Sequence, residues 1–151
     1  MIASRGNFEF ASFLWLALAS CCLASPQTDI QARYDRANQA MKFKYEDGVL
    51  AIRTTDFKAY DEKGHLLPAR VEHRHLEAAL ATASTILERT TITHLVQKSA
   101  TEVHVHIQDA MDLARPSKST LHVATEADDV WVRAGGDWKL KASHVQRQTV
   151  R

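Results

Sequence analysis

From Pro26 onward the apolar positions recur at helical spacing. Ile30, Tyr34, Ala37, Met41 and Tyr45 fall three and four apart and trace one stripe, while Arg33, Asp35, Arg36, Gln39 and Lys42 occupy the other sides. Asp29 stands where an N-cap is expected. The stretch "EDGVLAIRT" predicts a second, short helix carrying Val49, Leu50 and Ile52. The period then shortens. Phe57, Ala59 and Asp61 alternate with Lys58 and Tyr60, which predicts a short strand, and Gly64 supplies the turn after it. Pro68 opens a third helix, with Val71, His75, Ala78, Ala79, Thr82 and Ala83 as its stripe and Leu76 and Leu80 widening it. From Ile86 the period is two to the end of the chain, in four extended runs. "RPSK" separates the second run from the third. Gly135 and Gly136 join the third to the fourth, as a type I′ hairpin turn with positive φ at both central positions requires. Helices first, with one early strand, then long antiparallel strands predict an α+β domain whose helices pack on one face of a curved sheet.

The alternation also assigns faces. Val103, Val105 and Ile107 point one way and read as the core face; Glu102, His104, His106 and Gln108 point the other, towards solvent or a second subunit. Trp131 and Arg133 alternate away from Val130 and Val132, which places them on the same outer face as candidates for a dimer contact. Trp138, Leu140, Ala142 and His144 share a face in the last run, with His144 where a pocket could present one polar group. His104 and His106 could ligate zinc or copper if a third ligand approached, and His94 or His122 could come close on a neighbouring strand. The sequence fixes no such third ligand, so no metal is expected. In a dimer paired through this face the two imidazoles would make the contact pH-sensitive. His73 and Glu77 read as an i,i+4 pair on a solvated helix face.

Composition narrows the class. The chain has 151 residues, 45% hydrophobic and 25% charged, with a net charge of +1. This suits one globular domain, and with no basic excess it excludes nucleic acid as an expected partner. The first residues differ: Arg5 precedes an uncharged, strongly apolar stretch from Phe10 to Ser25, too short for a comfortable bilayer span. It reads as an export signal over 1–24 with cleavage after Ala24, giving a periplasmic or secreted protein. "LASC", Leu18 to Cys21, also resembles the bacterial lipobox, in which Cys21 would be lipidated and tether the chain to a membrane. Both cysteines lie in this segment, so residues 27–151 hold no disulfide, cysteine zinc framework or cysteine nucleophile. No Gly-rich phosphate loop, nucleophile elbow or Ser-His-Asp order is present, and no cofactor is expected.

"DVWVRAGGDWKLKASH", Asp129 to His144, resembles the terminal hairpin of the nuclear transport factor two-like superfamily, closest to its exported, SnoaL-like bacterial branch. "TTDFKAYDEKG" followed by a helix resembles that group's first strand and exit turn. The resemblance spans nearly all of Asp29 to Thr149. It implies a cone of curved antiparallel sheet closed by about three N-terminal helices (a cystatin-like roll), an apolar pocket inside, and frequent pairing into homodimers. Activities in the superfamily run from isomerases and dehydratases to pure binding domains, so the fold alone does not give the function. A ketosteroid isomerase-like site would need a carboxylate base near the end of the first strand, where Asp61 falls. It would also need a carboxylic acid before the last turn, where Asp128 is the nearest match and Asp129 would face the other side. Tyr34 lies about one helical turn from the tyrosine such a site uses. Two readings stand. One is a binding or dimeric interaction domain for a small apolar molecule, with Tyr34, Asp61, Asp128 and His144 as polar groups near the pocket. The other is an isomerase or dehydratase with Asp61 or His144 as general base.

Overall fold

The computed structural model describes residues 25–117 and 119–151; the expected export segment over 1–24, with the lipidation candidate Cys21, lies outside the described residues. The elements run α1 (Pro26–Lys42), α2 (Glu46–Leu50), β1 (Arg53–Tyr60), α3 (Ala69–Thr82), β2 (Thr85–Ser99), β3 (Glu102–Ala114), β4 (Thr120–Ala134) and β5 (Asp137–Val150). This is the α+β arrangement expected from the order of periods. Ser25, not Asp29, caps α1: its Oγ accepts the Thr28 N–H, and Pro26 takes the first helical position, where its missing N–H leaves nothing unpaired. Asp29 sits in the first turn, where a negative charge favours the helix dipole. On α3 the buried positions are Leu76 and Leu80, with Ala83 following at the cap, while His75 and Ala78 are exposed. The stripe is therefore centred about 100° from the expected line, one residue's rotation on a helix. At the β4–β5 turn Gly135 and Gly136 both have positive φ, at 61° and 87°, as the hairpin requires.

The five strands form one sheet in the order β1-β5-β4-β3-β2, with β1 parallel to β5 and the other pairs antiparallel. The helices cover its inner face. Ile30, Tyr34 and Ala37 of α1 pack with Val103, Val105, Ile107, Trp131, Trp138 and Leu140 in one cluster. Met41, Val49, Leu76, Leu80 and Ile86 form a second. The sheet bends at irregularities in its ladders. Ile92 faces Ile107 but His94 faces His106, which leaves Thr93 as an extra residue in β2. Lys141 and Gln146 are extra in β5 in the same way. A single inserted residue curves the strand and shifts its alternation by one, so every later side chain changes face.

Two expected faces are overturned, one by the pairing of β4 with β3 and one by the bulge at Lys141. Val103 and Trp131 are register partners and both fully buried, so Trp131 belongs to the core. Trp131 meets Tyr34 edge to face at 5.0 Å between ring centres. Trp131 and Arg133 are therefore not on the outer sheet face: Arg133 follows Trp131 in phase and lays its guanidinium over the Trp138 ring at 4.9 Å. Val130 and Val132, expected inside, are half-buried on the outer face. In β5 the bulge at Lys141 breaks the stripe. Trp138 and Leu140 are buried before it, but after it Ala142 and His144 turn outward.

Among the described residues, no strand neighbours one side of the outer strand β2. There α1 supplies Gln31, whose Nε2 donates to the Thr90 carbonyl at 2.8 Å and whose Oε1 accepts the Ile92 N–H at 3.2 Å. One side-chain amide thus fills the donor and acceptor positions that a further strand would occupy.

Candidate functional site

A cavity of about 320 Å³ opens between α1, α3 and the inner face of the sheet. Its walls are apolar: Ile52, Leu76, Ile107, Met111, Ala127, Leu140 and Val145 all contribute. Its polar groups gather on one side. Arg53, from the start of β1, binds Glu72, from the first turn of α3, with both guanidinium nitrogens at 2.8 and 2.9 Å. This fork is half-buried and ties the helix to the sheet. His75 follows Glu72 by three residues on the same helix and also lines the cavity.

Beside that pair are two carboxyls from adjacent strands. Glu88 of β2 is opposite Met111, and Thr90 is opposite Asp109 of β3, so the two acids lie diagonally across one ladder on the inner face. The Thr90 hydroxyl donates to Asp109 Oδ1 at 2.7 Å. Glu88 keeps part of its stem open at the mouth, but its carboxyl is largely withdrawn from water. Burial, then the charge of Asp109, pushes Glu88 up to about 8 against the opposing pull of Arg53. Burial also raises Asp109, against its bond from Thr90. Burial therefore keeps the proton on Glu88 at neutral pH and holds Asp109 above the ordinary carboxylate range. One is then a hydrogen-bond donor and the other an acceptor, both facing an apolar space.

Deeper in the core lies a sealed network. The Tyr34 hydroxyl donates to Asp129 Oδ2 at 2.5 Å and accepts the Trp131 indole N–H at 2.8 Å. Burial pushes Asp129 up to about 6, while the Ser143 and Tyr34 hydroxyls pull it down. Among the described residues Asp129 Oδ1 has no hydrogen-bond partner, so Ser143 favours the carboxylate without reaching bonding geometry. Burial, then the Asp129 charge, holds the Tyr34 hydroxyl well above the usual range and so protonated.

The residues singled out in the sequence do not converge. Tyr34 lines the cavity, but both its hydroxyl contacts are with Asp129 and Trp131. Asp61 is away from it. Its carboxylate accepts the Lys63 and His65 backbone N–H groups at 2.9 and 2.8 Å, closing the Gly64 turn, and these bonds, that from His65 foremost, hold it below the ordinary carboxylate range. Asp128 is on the outer face, bound to His106 Nδ1 at 2.7 Å. His144 is also outside, its ring stacked on Tyr60 at 4.1 Å. The general-base candidates Asp61 and His144 are thus not in the cavity. In their place stand Arg53, Glu72, His75, Glu88 and Asp109, of which the sequence pattern marks only His75, as part of the α3 stripe. A signal existed for two others: Glu88 is in phase with Ile86, Thr90 and Ile92, and Asp109 with Val105, Ile107 and Met111. An acid on the apolar phase of a strand is the anomaly to ask about.

The outer face has its own order. His94, His106, Asp128, His144 and Tyr60 are successive register partners across all five strands. The next rung runs Val96, His104, Val130, Ala142, Lys58. Between these rungs lies a shallow concavity of about 330 Å³.

No protein-family model and no curated protein matches the chain. Solved structures do. An NTF2-like protein of unknown function from Pseudomonas putida matches with a TM-score of 0.59 and 16% identity, over 79% of this chain and 84% of that one. The fold is that of the nuclear transport factor two-like proteins. Two more structures with this fold match. A conserved protein from Planctomyces limnophilus has a TM-score of 0.68 and 13% identity, covering 78% of this chain and 91% of its own. A hexachlorocyclohexane dehydrochlorinase from Novosphingobium barchaimii has a TM-score of 0.63 and 14% identity, covering 82% and 88%. The resemblance read from the terminal hairpin therefore holds for the nuclear transport factor two-like fold.

Proposed function

We propose that this chain binds a small molecule with an apolar body and one oxygen-bearing end in the cavity between helices and sheet. The observation that carries the reading is the Glu88–Asp109 pair. Two acids with raised pKa values in an apolar hollow destabilise the empty protein, and the hydroxyl that Thr90 gives Asp109 does not offset the burial. A ligand carbonyl or hydroxyl oxygen would accept a hydrogen bond from the Glu88 carboxyl, and a ligand hydroxyl would also donate to Asp109 beside the Thr90 hydroxyl. Calorimetric titration with a panel of hydroxylated and keto aromatic and alicyclic compounds tests this. At least one should bind wild-type protein. Ala79→Phe, which grows from α3 into the open space, should abolish that binding while leaving the far-ultraviolet circular dichroism unchanged. A panel without a binder, or a binder indifferent to Ala79→Phe, would sink the proposal.

A second reading uses the same pair. An acid and a base poised around neutrality suit proton transfer, with Asp109 as base and Glu88 as acid, in the isomerase or lyase class. The dehydrochlorinase among the structural neighbours supports considering it. The readings separate in Glu88→Gln, which keeps a neutral donor for binding but has no proton to give. Export belongs to the same proposal, and the mass of the mature N-terminus distinguishes cleavage after Ala24 from a lipidated Cys21. So does a homodimer, now drawn through the outer rungs with His104 and His106 rather than through Trp131 and Arg133.

A further inference from the structure

We infer that the outer face of the sheet holds a site for one divalent transition metal ion, ligated by His94, His104 and His106. His104 and His106 stand two apart on β3 with both rings on the same face. The bulge at Thr93 turns His94 onto that face and sets it directly opposite His106 on β2. Three imidazoles then sit at the corners of a small triangle on two rigid, paired strands. Side chains directly across a ladder have Cβ atoms about 5 Å apart, and diagonal ones about 7–8 Å. An imidazole is long enough to bring its far nitrogen over the middle of such a triangle.

The fourth group on the rung sets the chemistry. Asp128 Oδ1 lies 2.7 Å from His106 Nδ1. A carboxylate there accepts the hydrogen bond of Nδ1–H, which holds the proton on that nitrogen, fixes the tautomer and leaves Nε2 bare for a metal, the arrangement that raises ligand basicity in histidine metal sites. Three neutral nitrogen donors with one open position suit zinc, copper or nickel rather than magnesium or calcium, which want oxygen. The donors do not converge in the metal-free arrangement, because His104 Nε2 is turned to Glu102 Oε1 at 2.8 Å. Among the described residues only Glu46, His73 and Glu77 already bring three donors together, on the helical side. That trio is explained without an ion: His73 Nε2 lies 3.3 Å from each glutamate and bridges α2 to α3. It offers one nitrogen and two oxygens, the outer face three nitrogens.

The test is calorimetric titration of chelator-treated protein with Zn²⁺, paired with the visible spectrum of the Co²⁺ form. The expected result is one ion per chain and a Co²⁺ spectrum of low coordination number. His94→Gln and His106→Gln should each weaken Zn²⁺ binding by more than about tenfold, and Asp128→Asn by about tenfold. His73→Gln should leave the binding unchanged, and circular dichroism should show all four variants folded. Binding that is lost in His73→Gln but kept in His94→Gln, one ion shared by two chains, or no saturable binding at all would overturn the inference.

Discussion

Asp128 and Asp129 are neighbours in the chain and meet opposite surroundings. Asp128 faces outward, stays in water and pairs with an imidazole; Asp129 faces inward, loses its water and is pushed up to about 6. The same division holds for the whole sheet. Its inner face carries carboxyls among apolar side chains, at Glu88, Asp109 and Asp129. Its outer face carries imidazoles and exposed acids, at His94, His104, His106, His144 and Asp128. One ladder of backbone hydrogen bonds therefore supports two unlike chemistries, about one side-chain length apart. Inside, burial perturbs the acids and raises the pH at which they give up their protons. Outside, water screens the pairs, and what counts is where the strand register puts donor atoms.

Three measurements sharpen this contrast. The largest effect should come from Trp131→Ala, which empties the core and orphans the Tyr34–Asp129 network; denaturant unfolding should show a loss of about 3–5 kcal/mol. Val130→Ala, one residue away on the outer face, should cost less than about 1 kcal/mol by the half-burial of its side chain. Equal losses would mean that the two faces are wrongly assigned.

Next comes the pH dependence of stability. Glu88 holds its proton in the folded chain up to about 8, whereas the unfolded chain releases it near the ordinary 4.5. Between those values the folded state binds more protons, so stability is present below the window and is lost as pH rises through it. Asp109 and Asp129 are raised too and act in the same direction. Thermal unfolding should therefore weaken from pH 5 to pH 8.5. Glu88→Gln should match wild type at pH 5 and exceed it at pH 8.5 by about 1–3 kcal/mol, an amount reduced by water at the cavity mouth. A wild type whose stability rises over that range would refute the buried-acid reading. The smallest effect belongs outside: in metal-free protein, Asp128→Asn should change stability by less than about 1 kcal/mol, and more so in low salt.

The sequence was a good guide wherever one period ran without interruption. The four late strands, the glycine hairpin and the core phase of Val103, Val105 and Ile107 are all written in the alternation of their residues. The candidate site was harder to read, for a local reason. The bulges at Thr93, Lys141 and Gln146 each insert one residue, and nothing in the identity of these three residues marks them. Counting from Trp138 by twos therefore carries His144 inside when the strand delivers it outside. The β4 assignment failed differently. Trp131 and Val130 are both apolar, so alternation gave two equal choices, and only the pairing with Val103 decides between them. The cavity acids depended on the diagonal between β2 and β3, which is a tertiary fact. Asp61 was found at the strand end as expected, but two backbone N–H groups had already claimed its carboxylate for the turn.

Gln31 has a consequence beyond the fold. An uncovered ribbon border invites identical molecules to add on without limit, and fibrils grow in that way. The α1 amide blocks the middle of β2 against such recruitment, because any newcomer would have to evict it from Thr90 and Ile92 first. The border of β2 is thus closed at its middle, while the outer face with its two histidine rungs stays open to water.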